Sequence, residues 1–365
     1  MFSTEAIENA EACRFCWMCR HICPVGNATG NEADTPRARG LVLSMVERGM
    51  PYDSVMANSM YNCALCDACS NDCATAYEPP IYIREARKVA VVEGTAPETV
   101  KKSIDNIDNT GNIYGETKSS DVLAKRIESL DPKAEVLLFL GQTVRFIDPE
   151  PGLSIMNLLE KAKVSFTVLT NEPASGSYMM DLMGITGDIE NMAKAVDKAV
   201  SLSDAKTIVA LNPHDAKIFS SYYQKWNLLK NIEIKTATSY IDSLIKTQRL
   251  KPKRIDITVS LHDPCILSRG LDESDSVRNI LLSMGITIKE MLLNRKLSRC
   301  CGGAVLNSIH PEIAKKVALN REDDALRMGY SCVVTACPDC FYFLRKYGTG
   351  KVNYMDIFSL LIDNI

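Results

Sequence analysis

Short apolar runs alternate with amphipathic stretches through the second two thirds of the chain. Four runs have the length and apolar character of short strands: AEVLLFL (134–140), TIVAL (207–211), DITVSL (256–261) and CVVTA (332–336). Helical stretches such as 311–327 lie between the runs. Because strands that alternate with helices build mainly parallel sheets, this pattern predicts an α/β architecture.

The first third of the chain carries helix signals instead. The segment 34–50 begins with the N-cap candidates Asp34 and Thr35, and Pro36 suits the first helical turn. A second stretch, PPIYIREARKVAVVEG (79–94), predicts another helix that is entered through prolines. The polar segment 105–120 has the composition of a linker.

Composition narrows the class of protein. The chain has 365 residues, of which 46% are hydrophobic and 24% charged, with a net charge of −3. The basic patch or high pI of a nucleic-acid-binding protein is not seen, so we expect no nucleic-acid partner. No apolar run approaches the ~18 residues of a membrane span, and the first residues lack the features of a secretory signal. We therefore expect a cytoplasmic protein, membrane-associated only through partners, with reduced cysteines that are free to bind metal.

The fourteen cysteines are concentrated at the two ends of the chain. Eight lie between positions 13 and 73, and they form two copies of the pattern C-x2-C-x2-C-x3-C. This is the spacing of bacterial ferredoxins with two [4Fe–4S] clusters, in which the fourth cysteine of each motif binds the other cluster. The spacing thus predicts one cubane cluster on Cys13, Cys16, Cys19 and Cys73, and a second on Cys63, Cys66, Cys69 and Cys23.

Other roles for these eight cysteines fit the spacing less well. Zinc usually takes two C-x2-C pairs, so a third cysteine at the same step would be surplus. Buried structural thiols would not require a repeated pattern. The helix predicted between the two motifs favours a helical two-cluster domain over a compact β-ferredoxin.

The two α/β segments resemble each other, but they differ at their polar positions. The second contains HDPC (262–265), SRCCGGA (298–304) and VVTACPDCF (333–341), and the first contains FLGQ (139–142), NEPASGSY (171–178) and IVALNPHDA (208–216). Overlaying them sets five residues of the first segment, Gln142, Ala174, Ser175, Asn212 and Asp215, against five cysteines of the second, Cys265, Cys300, Cys301, Cys337 and Cys340.

The cysteines of the second segment resemble the CCG motif. That motif occurs in heterodisulfide reductase catalytic subunits and in iron–sulfur subunits of glycolate, lactate and glycerol-3-phosphate dehydrogenases. A two-cluster head joined to tandem CCG repeats is similar to the fused heterodisulfide reductase subunit and to the glycolate oxidase iron–sulfur subunit. The resemblance implies one noncubane [4Fe–4S] cluster on the five cysteines Cys265, Cys300, Cys301, Cys337 and Cys340. The first segment, which lacks them, is predicted to be scaffold, with an altered metal or substrate site at Asn212, His214 and Asp215 as the alternative.

The chemistry of the residues agrees with a cluster at the CCG motif. The adjacent Cys300 and Cys301 fit poorly on one tetrahedral metal ion but can bind two irons of one cluster. Zinc on four of the five cysteines, Cys300, Cys301, Cys337 and Cys340, is the alternative. No catalytic residue is assigned, although His262 and Arg299 are candidates for the groups that surround the cluster.

Together these observations predict an α+β multidomain fold. A helical ferredoxin domain with two [4Fe–4S] clusters would occupy residues 1–104, followed by a linker at 105–130. A CCG repeat without cysteines would occupy 131–250, and an intact CCG repeat 251–365.

Two functions fit this organisation, and both make the chain an oxidoreductase subunit. In the first, the chain relays electrons between a partner flavoprotein and the CCG cluster or a further acceptor. In the second, the CCG cluster is catalytic and reduces or forms a disulfide or related sulfur substrate. Since no G-x-G-x-x-G or Walker motif is present, FAD is expected on the partner. That partner would be an FAD-linked dehydrogenase, an electron-transfer flavoprotein or a heterodisulfide-reductase flavoprotein, with a quinone or membrane subunit as a further candidate.

Overall fold

Helices form the first third of the chain in the computed structural model, which describes residues 2–365. They are α1 (Thr4–Glu11), α2 (Met18–Ile22), α3 (Pro24–Thr29), α4 (Pro36–Glu47), α5 (Ser54–Tyr61), α6 (Ala68–Asp72), α7 (Pro79–Val92), α8 (Glu98–Thr110) and α9 (Asp121–Glu128). The Thr35 hydroxyl accepts a hydrogen bond from the Ala38 backbone N–H at 3.4 Å, so it caps α4 where the sequence predicted.

Two parallel sheets with the same strand order follow the helical part. The first contains β1 (Val136–Phe139), β2 (Phe166–Thr167), β3 (Thr207–Ala210) and β4 (Glu233–Thr236), in the order β2-β1-β3-β4. The second contains β5 (Thr258–Leu261), β6 (Thr287–Lys289), β7 (Cys332–Thr335) and β8 (Asn353–Asp356), in the order β6-β5-β7-β8.

Helices connect the strands of both sheets. In the first unit they are α10 (Gln142–Phe146), α11 (Glu150–Lys161), α12 (Ser177–Met183), α13 (Gly187–Ser201), α14 (Pro213–Ile218) and α15 (Ala237–Lys246). In the second they are α16 (Asp275–Ser283), α17 (Val305–Ile309), α18 (Pro311–Arg327), α19 (Pro338–Tyr347) and α20 (Ile357–Ile362). Short π-helical turns occupy Phe219–Tyr223 and Ile266–Gly270.

Both faces of the first sheet are covered. Along β1, Val136 and Leu138 enter one apolar core, whereas Leu137 and Phe139 enter another. Successive side chains of a strand point to opposite faces, so the uninterrupted apolar run of this strand is what a sheet buried on both sides requires.

The two four-cysteine motifs fold into loops with the same backbone. Phe15 and Trp17 have φ of 55° and 69°, and their counterparts Leu65 and Asp67 have φ of 49° and 60°. Each loop leads into a short helix, α2 or α6, and these two helices pack against each other. The repeat that the sequence shows is thus a repeat of conformation.

Buried polar groups join the helical head to the first sheet unit. The Arg87 guanidinium donates to the carbonyls of Met60 at 2.9 Å, Cys63 at 2.6 Å and Asp181 at 2.6 Å. The Tyr61 hydroxyl lies 3.2 Å from the Arg87 carbonyl and 3.0 Å from the Leu182 carbonyl. These bonds fix the second cysteine loop against α12.

The mixed helix and sheet content confirms the coarse α+β prediction. The linker is more ordered than predicted, since α8 continues to Thr110 and α9 covers residues 121–128 within the predicted segment 105–130. Helix α8 extends because Val100, Ser103 and Ile107 form one buried stripe. Among residues 2–365, the helices are too short or too polar to cross a bilayer.

Candidate metal centres

The five CCG cysteines converge on one cavity at the carboxyl ends of the central strands of the second sheet. Cys265 follows β5, Cys300 and Cys301 lie in the loop before α17, and Cys337 and Cys340 lie at the start of α19. All five are buried and line the same cavity. The parallel arrangement explains the convergence, because the ends of β5 and β7 lie side by side.

The sulfur atoms are close to one another. The Sγ atoms of Cys301 and Cys340 are 3.2 Å apart, and those of Cys265 and Cys300 are 4.0 Å apart. Gly302 has a φ of 77°, and a Cβ there would lie 2.8 Å from the Ala314 carbonyl oxygen, so only glycine suits this position. The close backbone turn beside Cys301 therefore depends on this glycine.

His262 lies at the same site, inside the protein. Its Nδ1 accepts a hydrogen bond from Arg321 Nε at 3.1 Å, and one of its nitrogens lies within 4.8 Å of the Cys301 and Cys340 sulfurs. Burial lowers the pKa of His262, and the contacts with Cys300, Cys340 and His262 lower the pKa of the Cys301 thiol. His262 therefore borders the cysteines, as the sequence suggested. Arg299 instead pairs with Asp324 at 3.0 Å.

The donor set fits an iron–sulfur group better than a hard cation. Five sulfurs face one cavity, and thiolates are the ligands that iron–sulfur clusters and zinc prefer. A single zinc ion would use four of them and leave one without a role. The three-donor group of His262, Cys301 and Cys340 is a further arrangement that could hold a metal.

The structure also brings Cys23 to the second cysteine loop. Cys23, Cys63, Cys66 and Cys69 line one cavity together with Arg39. Burial raises the pKa of Cys23 to about 11, and the Arg39 charge opposes this shift. The fourth cysteine of the first motif therefore lies in one cavity with the first three of the second.

The other four cysteines of the two motifs lie nearer the surface. Cys16 is exposed, and Cys13, Cys19 and Cys73 are half-buried. The Thr75 hydroxyl donates to the Ala12 carbonyl at 3.1 Å and lies 3.3 Å from the Cys73 sulfur, which ties the end of the second motif to the start of the first.

The second loop also contacts the CCG site. The side chain of Cys66 touches that of Cys300, and this contact lowers the pKa of Cys66 to about 6. Arg269 holds the two loops together, since it donates to the Cys66 carbonyl at 2.6 Å and to the Ser298 carbonyl at 2.6 Å. The sequence could not reveal this contact because the cysteines are more than two hundred positions apart.

The first sheet unit repeats the CCG geometry with oxygen in place of sulfur. Ser175 Oγ lies 2.5 Å from Asp215 Oδ1, as the Cys301 and Cys340 sulfurs adjoin each other in the second unit. Gly176, at φ 83°, corresponds to Gly302. Burial raises the pKa of Asp215 to about 7. Ser175 and Asp215 thus adjoin each other, but both lie outside the lining of the cysteine cavity.

The other overlaid residues have structural partners. Asn212 Nδ2 donates to Asp339 Oδ1 at 3.2 Å, and the Gln142 amide oxygen accepts from the Ile113 N–H at 2.8 Å. Ala174 is half-buried and packs against the apolar core.

Sequence reasoning missed several buried charged groups around the cysteines. Asp339, inside the Cys337–Cys340 turn, accepts from Thr143 and Tyr178 of the first unit at 2.5 and 2.7 Å. Arg39 and Arg87 line the cysteine cavities although the sequence places them on ordinary amphipathic helices. The only sequence signal for Asp339 was its position inside the cysteine motif.

Comparison with known proteins gives independent support for iron–sulfur binding by this chain. Residues 259–345 match the model of the CCG cysteine-rich domain. The chain is 23% identical over 336 residues to the probable iron–sulfur-binding oxidoreductase FadF of Bacillus subtilis, covering 86% of this chain and 47% of that protein.

Two archaeal proteins, each a component of a reductase, give similar matches. One belongs to the CoM/CoB fumarate reductase of Methanothermobacter marburgensis and is 26% identical, covering 83% of this chain and 61% of that protein. The other belongs to the dihydromethanophenazine:CoB–CoM heterodisulfide reductase of Methanosarcina acetivorans and is 26% identical, covering 78% of this chain and 71% of that protein.

The chain thus spans about half to three fifths of the length of the first relatives that it matches. On this evidence residues 259–345 form a CCG cysteine-rich domain, and the chain as a whole is similar to a probable iron–sulfur-binding oxidoreductase and to a heterodisulfide reductase subunit.

Proposed function

We propose that this chain is an iron–sulfur electron-transfer subunit of a multisubunit oxidoreductase. It would pass electrons between a partner flavoprotein, which carries FAD, and the CCG site or a further acceptor. Two of the similar proteins are named as subunits of reductases, which supports a role within a complex.

The proposal assigns thirteen of the fourteen cysteines to three groups. Two [4Fe–4S] cubanes would be held by Cys13, Cys16, Cys19 and Cys73, and by Cys63, Cys66, Cys69 and Cys23; one CCG-type cluster would be held by Cys265, Cys300, Cys301, Cys337 and Cys340. Such clusters supply reversible one-electron transfer at potentials that charge and hydrogen bonding adjust. The residues around them provide both adjustments, since Arg39 lies beside Cys23 and Cys63, and Arg269 beside Cys66.

The contact between Cys66 and Cys300 is the observation that carries the proposal. It joins the second ferredoxin set to the CCG set inside one apolar group that includes Ile22, Ala68, Cys265 and Ile266. Two redox groups held on touching residues exchange electrons readily, and burial excludes water from the path. A relay requires this adjacency, whereas an isolated catalytic site does not.

The relay is tested by breaking that contact in the anaerobically purified protein. We expect Arg269→Met, which keeps every proposed ligand but removes the bonds to the Cys66 and Ser298 carbonyls, to slow the reduction of the CCG site severalfold when reduced flavin mononucleotide is the donor, as followed by freeze-quench EPR. Arg249→Met is the matched control, because the Arg249 guanidinium bonds to the Ala162 carbonyl at 2.8 Å and lines neither cysteine cavity. The control should retain the parent rate and roughly twelve irons per chain. Equal rates in both variants would contradict the relay, and zinc in place of iron would contradict the cofactor assignment.

A catalytic role at the CCG site is the second candidate, and His214 is the observation that favours it. This half-buried side chain comes from the first unit, lines the cavity of the five cysteines and lies 4.0 Å from Asp339. The reduced protein is titrated with thiols and disulfides while the EPR signal of the CCG site is followed. A change that is lost in His214→Gln and in Cys301→Ala, with the cubane signals intact, would replace the relay with disulfide chemistry. An unchanged signal supports the relay.

A further inference from the structure

The two cysteine loops have the same backbone but opposite surroundings. In the second loop, Leu65 is 2% exposed and Asp67 pairs with Lys217 of the first sheet unit at 3.2 Å. Arg269 of the second unit bonds to the same loop through the Cys66 carbonyl. The second loop is therefore a docking element that is already covered by its own chain.

The first loop presents the equivalent positions to solvent. Phe15 and Trp17, the counterparts of Leu65 and Asp67, are 52% and 45% exposed, and the next residue, Met18, is 48% exposed. Cys16, between the two aromatic residues, is the cysteine that the structure leaves exposed. Large apolar side chains are thus concentrated around a proposed cluster ligand.

Arginines hold these aromatic side chains in place. The Arg37 guanidinium lies 3.7 Å from the centre of the Trp17 ring and 5.6 Å from that of Phe15, and Arg20 lies 5.4 Å from Trp17. Such cation–π contacts restrict the rings before any partner binds. Trp and Arg are also the residues that most often dominate the binding energy of protein interfaces.

The charged side chains at the first loop indicate which kind of partner would bind there. Arg14 and Arg20 are exposed at the loop, and Arg37 lies behind it. Glu32 pairs with both Arg20 and Arg37, so it offsets part of the positive charge. The second loop shows the opposite arrangement, because its Asp67 meets the cation of Lys217.

We propose that the first loop, with Arg14, Arg20 and Arg37 around Phe15 and Trp17, is the docking surface for an acidic one-electron carrier protein. The inference rests on the proposed electron-transfer function and names the surface at which electrons enter or leave. One electron leaves the reduced carrier, which is oxidised, and reduces the cluster on the first cysteine group; in the reverse direction the two roles exchange. The carrier would present an apolar pocket for the Trp17 ring with carboxylates at its edge.

The contact is tested by photo-crosslinking of the full chain in its native host. Trp17→p-benzoylphenylalanine should form an adduct with a redox protein, attached through a peptide that contains carboxylates. Leu202→p-benzoylphenylalanine is the control, since Leu202 is 72% exposed on the first sheet unit. Reversing the charge with Arg14→Glu and Arg20→Glu should reduce the adduct at position 17. The proposal would be overturned if positions 17 and 202 formed the same adducts, or if charge reversal left the yield at position 17 unchanged.

The sign of the surface charge is tested with small oxidants. The reduced, cluster-containing protein is mixed with anionic ferricyanide or cationic hexaammineruthenium(III) at low salt. The Arg14→Glu/Arg20→Glu variant should react about tenfold more slowly with the anion and faster with the cation, because local charge changes the rate of encounter. Lys101→Glu/Lys102→Glu makes the same charge change on α8 and should react like the parent. Equal responses of the two variants would refute this docking surface, whereas a parent protein that accepts no electrons would refute the proposed function instead.

Discussion

Asp215 is a buried carboxyl group at the position that Cys340 holds in the second unit. Its Oδ1 accepts hydrogen bonds from Ser175 at 2.5 Å and Ser177 at 3.1 Å. Burial nevertheless dominates and raises its pKa to about 7. The side chain therefore keeps its proton in the folded protein at pH values where the unfolded chain has lost it.

The raised pKa of Asp215 predicts that folding stability falls as the pH rises, and Asp215→Asn should remove this fall. Between the ordinary carboxyl pKa of about 4 and the folded value of about 7, the unfolded chain binds fewer protons, so folding stability falls as the pH rises, by at most ~1.4 kcal/mol per pH unit. An asparagine side chain does not ionise in this pH range, so the variant does not lose stability in this way. The stability advantage of the variant should thus grow from pH 5.5 to pH 7.5, as measured by anaerobic thermal unfolding. An advantage that is the same at both pH values would contradict the assigned pKa shift.

At the scale of the elements, each of the two cysteine loops is predicted to supply one ligand to the cluster of the other, and this can be tested. The structure places Cys23 with the cysteines of the second loop and ties Cys73 to the first loop through Thr75. We expect the EPR spectrum of Cys23→Ser to show the same altered signal as Cys66→Ser. The spectrum of Cys73→Ser should instead match that of Cys16→Ser. If Cys23→Ser resembled Cys16→Ser, the crossed assignment would be wrong.

Elements with strong local signals were predictable from sequence. Helix α18 spans Pro311–Arg327, the stretch that the sequence indicated, because proline opens it and its apolar positions recur with helical spacing. Strand β7 lies within the predicted run CVVTA, because its β-branched residues Val333, Val334 and Thr335 favour a strand. The end of α8 was assigned to a linker because its polar residues concealed one narrow buried stripe.

The candidate site was predictable only in part. Motif spacing indicated eight of the cysteines, since the spacing within each ferredoxin motif is a local property of the chain, and the resemblance to the CCG motif indicated five more. The contact of Cys66 with Cys300 and the burial of Arg39, Arg87 and Arg321 depend on how distant elements pack. A charged residue on an amphipathic helix is usually solvated, and nothing local marks the exceptions.

At the scale of the whole molecule, Arg87 connects the three parts that the proposed relay needs. It lies on α7 of the head, bonds to the Cys63 carbonyl in the second loop, and reaches the Asp181 carbonyl of the first sheet unit. It also lines the cavity of the five CCG cysteines. This fully buried guanidinium therefore contributes to the position of the head relative to the sheet units.

Replacing this group should loosen the head from the sheet units. In Arg87→Met the carbonyls of Met60, Cys63 and Asp181 lose their donor, and an unsatisfied buried polar group costs ~1–3 kcal/mol. We expect the free energy of unfolding to fall by about 3 kcal/mol and amide hydrogen exchange to rise in α5 and α12. Lys88→Met removes a charge from the adjacent, exposed position of the same helix and should change neither quantity. If both variants behaved alike, Arg87 would not be the joint, and the second loop would be held by its other contacts, those of Tyr61, Lys217 and Arg269.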